Sequence, residues 1–156
     1  MELEGTTTPA AAVVDLDSIV EVDTAEYELL HPATGQPLGQ VVTIMGPEHP
    51  KRKAMEQGRA RELRLEFRKQ GKMPVSDPVE DEAEAYETLI TCTIALADRK
   101  GERPVIVGGK PVTFTEQTRG TVLRDFYTAP KRTWLAKQVL RALQEQDRFI
   151  ESSVKG

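Results

Sequence analysis

The sequence predicts an α+β fold: an N-terminal β-hairpin followed by a mostly helical domain that ends in a C-terminal helix pair. Three observations carry this. An alternating run and a β-branched run flank a cluster of turn formers between Glu26 and Met45. Two long charged stretches of opposite sign, beginning near Pro50 and Asp77, repeat their apolar residues at helical spacing. The stretch from Lys110 to Ile150 holds the only Trp of the chain, and its apolar residues fall on two helical faces joined by a short turn.

Taken in order, residues 1–22 are small and polar without a sustained period. They are expected to form a flexible arm with at most a short ordered piece at Val13 to Val20. Glu26–Leu30 alternates as a strand does, His31–Pro37 is dense in turn residues, and Gln40–Met45 reads as the returning strand. Gly46 to Pro50 punctuates the chain before a helix from about Pro50 to Gln70. Ala60, Leu63 and Phe67 are its narrow apolar seam. Between Lys51 and Lys72 nine Lys or Arg face three Glu, a local charge of 9 − 3 = +6.

The next helix opens on acids, which suit the positive end of a helix dipole: Asp77, Glu80, Asp81, Glu82, Glu84 and Glu87, with no base among them. Its apolar stripe is expected to run on through Tyr86, Leu89, Ile90, Thr93, Ile94 and Ala97. Val105–Val107, Gly108-Gly109 and Lys110–Phe114 suggest a tight second hairpin. Thr115 is expected to cap a helix carrying Val122, Leu123, Phe126 and Tyr127. Thr128 and Pro130 start the last one, with Leu135, Val139, Ala142 and Leu143 on one face and Trp134 at its edge. The domain is thus expected over 23–150, with a short flexible tail at 151–156.

Composition narrows the function classes. A net charge of −4 gives no global attraction to nucleic acid or membrane, and no window is apolar enough to span a bilayer. A basic-then-apolar leader is not seen at the start, and the single Cys92 allows no internal disulfide, as suits a reducing cytoplasm. Aromatic residues make up only 5% of the chain, so the expected core is aliphatic and thin.

Candidate chemistry is sparse. Gly108-Gly109-Lys110 lacks the earlier Gly of a phosphate loop and is followed by Pro111, so it reads as a hairpin turn. His31, His49 and Cys92 have no paired metal-ligand spacing. The acids from Glu80 to Glu87 lack the Gly and alternation of a calcium loop. No nucleophile motif is found, and neither enzyme activity, cofactor nor metal is expected. The basic helix could neutralise phosphates, but its bases fall all round the helix without interleaved aromatics. Neutralisation by the acids that follow is the expectation, and nucleic acid is not expected as a partner.

Three places together carry a family likeness. The first is the hairpin, with His31-Pro32, Gly35-Gln36-Pro37, the return through Ile44 and then Gly46-Pro47. The second is the basic helix after it. The third is Gly109–Thr115 followed by a helix, the Pro130-Lys131-Arg132 turn, and a Trp134-Leu135…Gln138-Val139 helix ending Asp147-Arg148-Phe149-Ile150. In this layout, from about Tyr27 to Ile150, the chain resembles the tail assembly chaperones of long-tailed bacteriophages. Gly120, expected mid-helix, departs from it.

The resemblance implies a non-enzymatic assembly factor of the host cytoplasm. It would bind and solubilise the tape measure protein, help to recruit tail tube protein, and leave before the particle is finished. This chain would correspond to the short form where a frameshifted longer form exists. Phe126, Tyr127, Arg132, Trp134 and Phe149 are the candidate partner-binding residues, the alternative for the aromatics being the domain's own core. Self-association is compatible with the reading. Two other functions stay open: a structural virion component, such as a head–tail joining or minor tail protein, and a small nucleic-acid-binding regulator.

Overall fold

The computed structural model, which describes residues 13–98, 101 and 103–152, combines four α-helices with small antiparallel sheets among those residues, as the α+β expectation requires. The expected hairpin consists of β2 (Thr24–Leu30) and β3 (Pro37–Met45), preceded by β1 (Ile19–Glu21). Two helices follow, α1 (Pro50–Gln70) and α2 (Pro78–Cys92), and then β4 (Thr93–Asp98). A small hairpin of β5 (Val105–Val107) and β6 (Lys110–Val112) leads to α3 (Arg119–Thr128), α4 (Thr133–Gln144) and a final strand β7 (Ile150–Ser152).

The central sheet is antiparallel in the order β2-β3-β4. Cross-strand rows Tyr27–Val42–Leu96 and Ala25–Ile44–Thr93 build its inner face, and Glu26–Thr43–Ala95 lies on the outer one. A register shift at Thr43/Ile44 gives β4 an extra residue, Ile94. That bulge is what brings Thr93 and Leu96, three residues apart, to the same face. Leu135, Ala136, Val139, Ala142 and Leu143 of α4 are buried against the inner face, with Leu89, Ile90 and Cys92 of α2 and Leu123 of α3 completing the core.

Several expectations need correction. Thr93, Ile94 and Ala97 do not continue a helical stripe; they form the third strand of the sheet, without a loop after α2. β-branched Thr93 pairs with Ile44 of β3, and the ladder it opens outweighs one further helical turn. Thr93 still serves both elements, since its hydroxyl donates to the Leu89 carbonyl at 2.7 Å. Thr115 does not cap a helix. It exchanges hydrogen bonds with Thr118 in a turn, the Thr118 Oγ1 accepting from the Thr115 amide at 2.8 Å, and α3 starts four residues later. Gly120 is therefore the second residue of α3 rather than mid-helix, where its low propensity costs least. Pro130 opens a short 3-10 turn to Arg132, so α4 begins at Thr133 without a side-chain cap.

The chain ends meet. β1 pairs antiparallel with β7, Ile19 opposite Ser152 and Glu21 opposite Ile150. Part of the expected arm and the first residues of the expected tail thus form a ribbon across the 22 and 150 boundaries. Residues 1–12 of the expected arm and 153–156 of the expected tail lie outside the described residues. The second hairpin is as expected: Gly108 and Gly109 have φ of 59° and 78°, the two consecutive left-handed residues of a tight two-residue turn.

Candidate functional site

α1 and α2 are terminated by local devices rather than by packing. His49 caps α1 through Nδ1, accepting from the Lys51 amide at 3.2 Å, and Pro50 occupies the first turn. At the other end Gly71 adopts φ 71° and its amide donates to the Phe67 carbonyl, while Arg68 and Lys69 lie beside the negative end of the dipole. Asp77 caps α2 by accepting from the Val79 amide at 3.0 Å. Such ends let a helix stand with little covering.

Covering is what α1 lacks. Its base is anchored by Arg52, the only buried residue of the helix, which donates to the carbonyls of Met45 and Leu143, both at 2.9 Å. About two turns further on, Arg59 donates to Thr88 Oγ1 at 2.7 Å and to the Glu84 carbonyl at 3.2 Å. Beyond Arg59 the helix leaves the domain. From Ala60 to Glu84 every residue is exposed apart from half-buried Pro74, so the end of α1, the loop and the start of α2 form a projecting arm.

The arm exposes large apolar side chains: Leu63 by 44%, Phe67 by 47%, Val75 by 85% and Val79 by 77%. A cleft of about 620 Å³ separates the two helices, lined from α1 by Ala54, Met55, Gly58 and Glu62 among others. Leu63 and Phe67 lie about 100° and 140° round the helix from Glu62. The seam of Ala60, Leu63 and Phe67 therefore faces away from α2. Arg61, Arg64 and Arg68 repeat at the same intervals and run alongside it. The outer face of α1 is an apolar stripe beside a basic one.

Full neutralisation of α1 by α2 does not occur. Among the described residues one ion pair joins them, Arg59 to Glu84 at 3.9 Å, and no acid of α2 comes within ion-pair distance of Arg61, Arg64 or Arg68. Charges that are each well solvated gain too little from pairing to draw the two helices together.

The five sequence-derived partner residues do not form one exposed surface. Tyr127, Phe149 and Phe126 are buried, at 0%, 2% and 3% exposure. Phe126 and Tyr127 meet edge to face at 5.0 Å, and the Tyr127 hydroxyl lies 2.7 Å from Thr93 Oγ1. Because Thr93 has already given its proton to Leu89, Tyr127 is the donor. These three are core. Trp134 is half-buried against the core, and Arg132 is half-buried over the Phe126 ring, its guanidinium bonded to the Phe126 carbonyl. The arm took their place as the exposed apolar surface. Its signal was present: three apolar residues among nine bases make too thin a seam for a core-facing helix.

The remaining candidates are structural where described. His31 Nδ1 accepts from the amides of Ala33 and Thr34, tightening the β2–β3 turn as His49 does the start of α1. Burial pushes the Cys92 thiol up to about 11, so it is a poor nucleophile at neutral pH. Among the described residues no three His, Cys, Asp or Glu side chains cluster as a metal site would, and no helix is long and apolar enough to cross a membrane. Comparison with protein-family models, with curated proteins and with solved structures yields no match.

Proposed function

We propose that the protein is a tail assembly chaperone of a long-tailed bacteriophage, which binds the tape measure protein in the host cytoplasm and keeps it soluble until tail tube protein surrounds it. The layout from Tyr27 to Ile150 supports this reading, and one structural observation carries it. That observation is the outward stripe of Leu63 and Phe67 on an arm tied to the domain only as far as Arg59. A long helical client exposes apolar side chains at intervals of three and four residues, and a helix with the same spacing can desolvate them. The flanking arginines add electrostatic steering and reject a basic partner face. The client surface is thus the arm rather than the C-terminal helix pair, whose aromatics are already used in the core. No step of this action needs a catalytic group.

The test is co-expression with the tape measure protein encoded in the same genome. The client should be soluble and co-purify with the intact chain, and should lose both properties with the Leu63→Ser/Phe67→Ser double variant. A client equally soluble alone, which fails to co-purify, overturns the proposal. Abundant copies in purified particles would instead make the chain a structural component of the virion.

A further inference from the structure

The cleft of about 620 Å³ between α1 and α2 has an apolar floor made mostly of small residues. Ala54, Met55 and Gly58 line it from α1, and Ala83 and Ile90 from α2. Gly58 is demanded neither by the backbone nor by packing. Its φ is not positive, and a Cβ built on it would meet nothing within 4 Å. Glycine inside a helix is destabilising relative to alanine, so this position weakens α1 and gives only room in return. The rim is acidic on both sides. Glu62 stands on α1, while Glu80, Glu84 and Glu87 recur at i, i+4 and i+7 on the one face of α2 that lines the cleft. Glu84 pairs with Arg59 at 3.9 Å. Among the described residues Glu62, Glu80 and Glu87 have no ion-pair partner, against one unpaired base at the cleft, Arg124.

We propose that this cleft is a docking groove for a basic amphipathic helix of a partner protein, one with apolar side chains at three- and four-residue intervals between flanking lysines or arginines. The walls decide the conformation of the occupant. Both are helices whose own backbone groups are already paired, so an extended segment would find no partners for its N–H and C=O groups, whereas a helix brings its backbone bonds with it. Its apolar side chains fill the room that Ala54, Gly58 and Ala83 leave, above Ile90 and Met55, whose flexible thioether adapts to their shape. Its cations meet Glu62 on one wall and Glu80 and Glu87 on the other, a complementarity that a neutral or acidic helix lacks. The groove is separate from the outer stripe, since Leu63 and Phe67 face away from α2 and the arginines beside them repel a basic helix. The inference therefore goes beyond the chaperone reading and does not depend on it.

Fluorescence anisotropy with the full chain tests it, using two labelled peptides about 18 residues long, roughly five turns of helix. Both carry leucine at helical intervals; one has lysine at the flanking positions and the other glutamate. The lysine peptide should bind with a dissociation constant on the order of 10 μM at about 150 mM salt, and the glutamate peptide about tenfold or more weaker. Gly58→Leu places a side chain in the groove from a position whose Cβ is clear of every neighbour. It should weaken the lysine peptide about tenfold or more, with the melting temperature unchanged or raised. Glu62→Gln/Glu80→Gln/Glu87→Gln should also weaken it, with unchanged circular dichroism, whereas Leu63→Ser/Phe67→Ser should bind it as the parent does. A lysine peptide that does not bind, or binds no more tightly than the glutamate peptide, overturns the proposal. Binding that is indifferent to Gly58→Leu or to the three glutamine substitutions does so too, as does binding lost with Leu63→Ser/Phe67→Ser. A parent chain that dimerises in sedimentation equilibrium, and is monomeric as Gly58→Leu, would assign the cleft to a second copy instead and equally overturns it.

Discussion

Gln138 of α4 pairs with the backbone of Leu30 as a neighbouring strand would: its Oε1 accepts from the Leu30 amide at 3.1 Å and its Nε2 donates to the Leu30 carbonyl at 2.7 Å. β2 is an edge strand, and its outer rim would otherwise present unpaired groups at this point. The same Oε1 also accepts from the Tyr27 hydroxyl at 3.3 Å. One side chain thus fastens the last long helix to the first strand of the sheet, 108 residues away in sequence. Gln138→Ala should destabilise the protein by about 1–3 kcal/mol, because it strands a partly buried donor and acceptor together. A urea midpoint equal to that of the parent would show that water replaces the side chain without loss.

Gly46 is where the strand ribbon meets the sheet. A Cβ there would stand 2.7 Å from Phe149 Cδ1 and 3.0 Å from the Val22 carbonyl oxygen. The Val22 amide in turn donates to the Phe149 carbonyl at 2.8 Å, so neither neighbour can move alone. Gly46→Ala should cost about 1–3 kcal/mol by overpacking. Amide exchange should speed up first in Ile19–Glu21, which is paired with β7. Unchanged exchange in that strand would mean that Phe149 can shift without opening the ribbon.

Alkali should unfold the protein through two buried acids. Burial raises the Cys92 thiol from 9.0 to about 11 and raises the Tyr127 phenol well above 10.0. Both are neutral when protonated and hold the proton more tightly when folded. Their contribution is complete below pH 9.0 and is lost as pH rises, from there to about 11 for Cys92 and beyond 10.0 for Tyr127. The slope should approach about 1.4 kcal/mol per pH unit for each ionising group. Denaturant titrations across this window should show the fall, and Tyr127→Phe should remove the later part of it. Constant stability across the window would count against burial of both groups.

The outer stripe of α1 should contribute to binding and not to folding. Leu63 and Phe67 are nearly half exposed and touch no core element, so Leu63→Ser/Phe67→Ser should shift the unfolding free energy by no more than about 0.5 kcal/mol. A loss of several kcal/mol on thermal or urea unfolding would mean that the arm folds back on the domain in solution.

Nucleic acid should bind poorly despite the basic stripe. Five acids, Asp77, Glu80, Asp81, Glu82 and Glu84, belong to the same arm as these bases, and their field opposes that of a duplex laid on α1. In a mobility-shift titration at about 150 mM salt the dissociation constant should be weaker than about 10 μM, within the non-specific range. Micromolar affinity with a steep salt slope would favour a nucleic-acid-binding regulator.

Local information in the chain determined much of this protein. The turn chemistry of His31–Pro37 and of Gly108-Gly109, the capped ends of α1, the acidic start of α2 and the apolar face of α4 each depend on neighbours a few residues apart. Each was legible for that reason. Tertiary structure alone decided three things. Thr93–Asp98 became a strand because β3 offered it a ladder, a gain that no window of local sequence contains. Phe126, Tyr127 and Phe149 went inside because the sheet and α2 needed covering, which left the exposed apolar surface to α1. The charge blocks of α1 and α2, adjacent in sequence, stayed mostly unpaired: among the described residues Arg59–Glu84 is the one ion pair between them. Proximity along the chain fixes composition and charge, whereas contact depends on which face each helix turns to its neighbour.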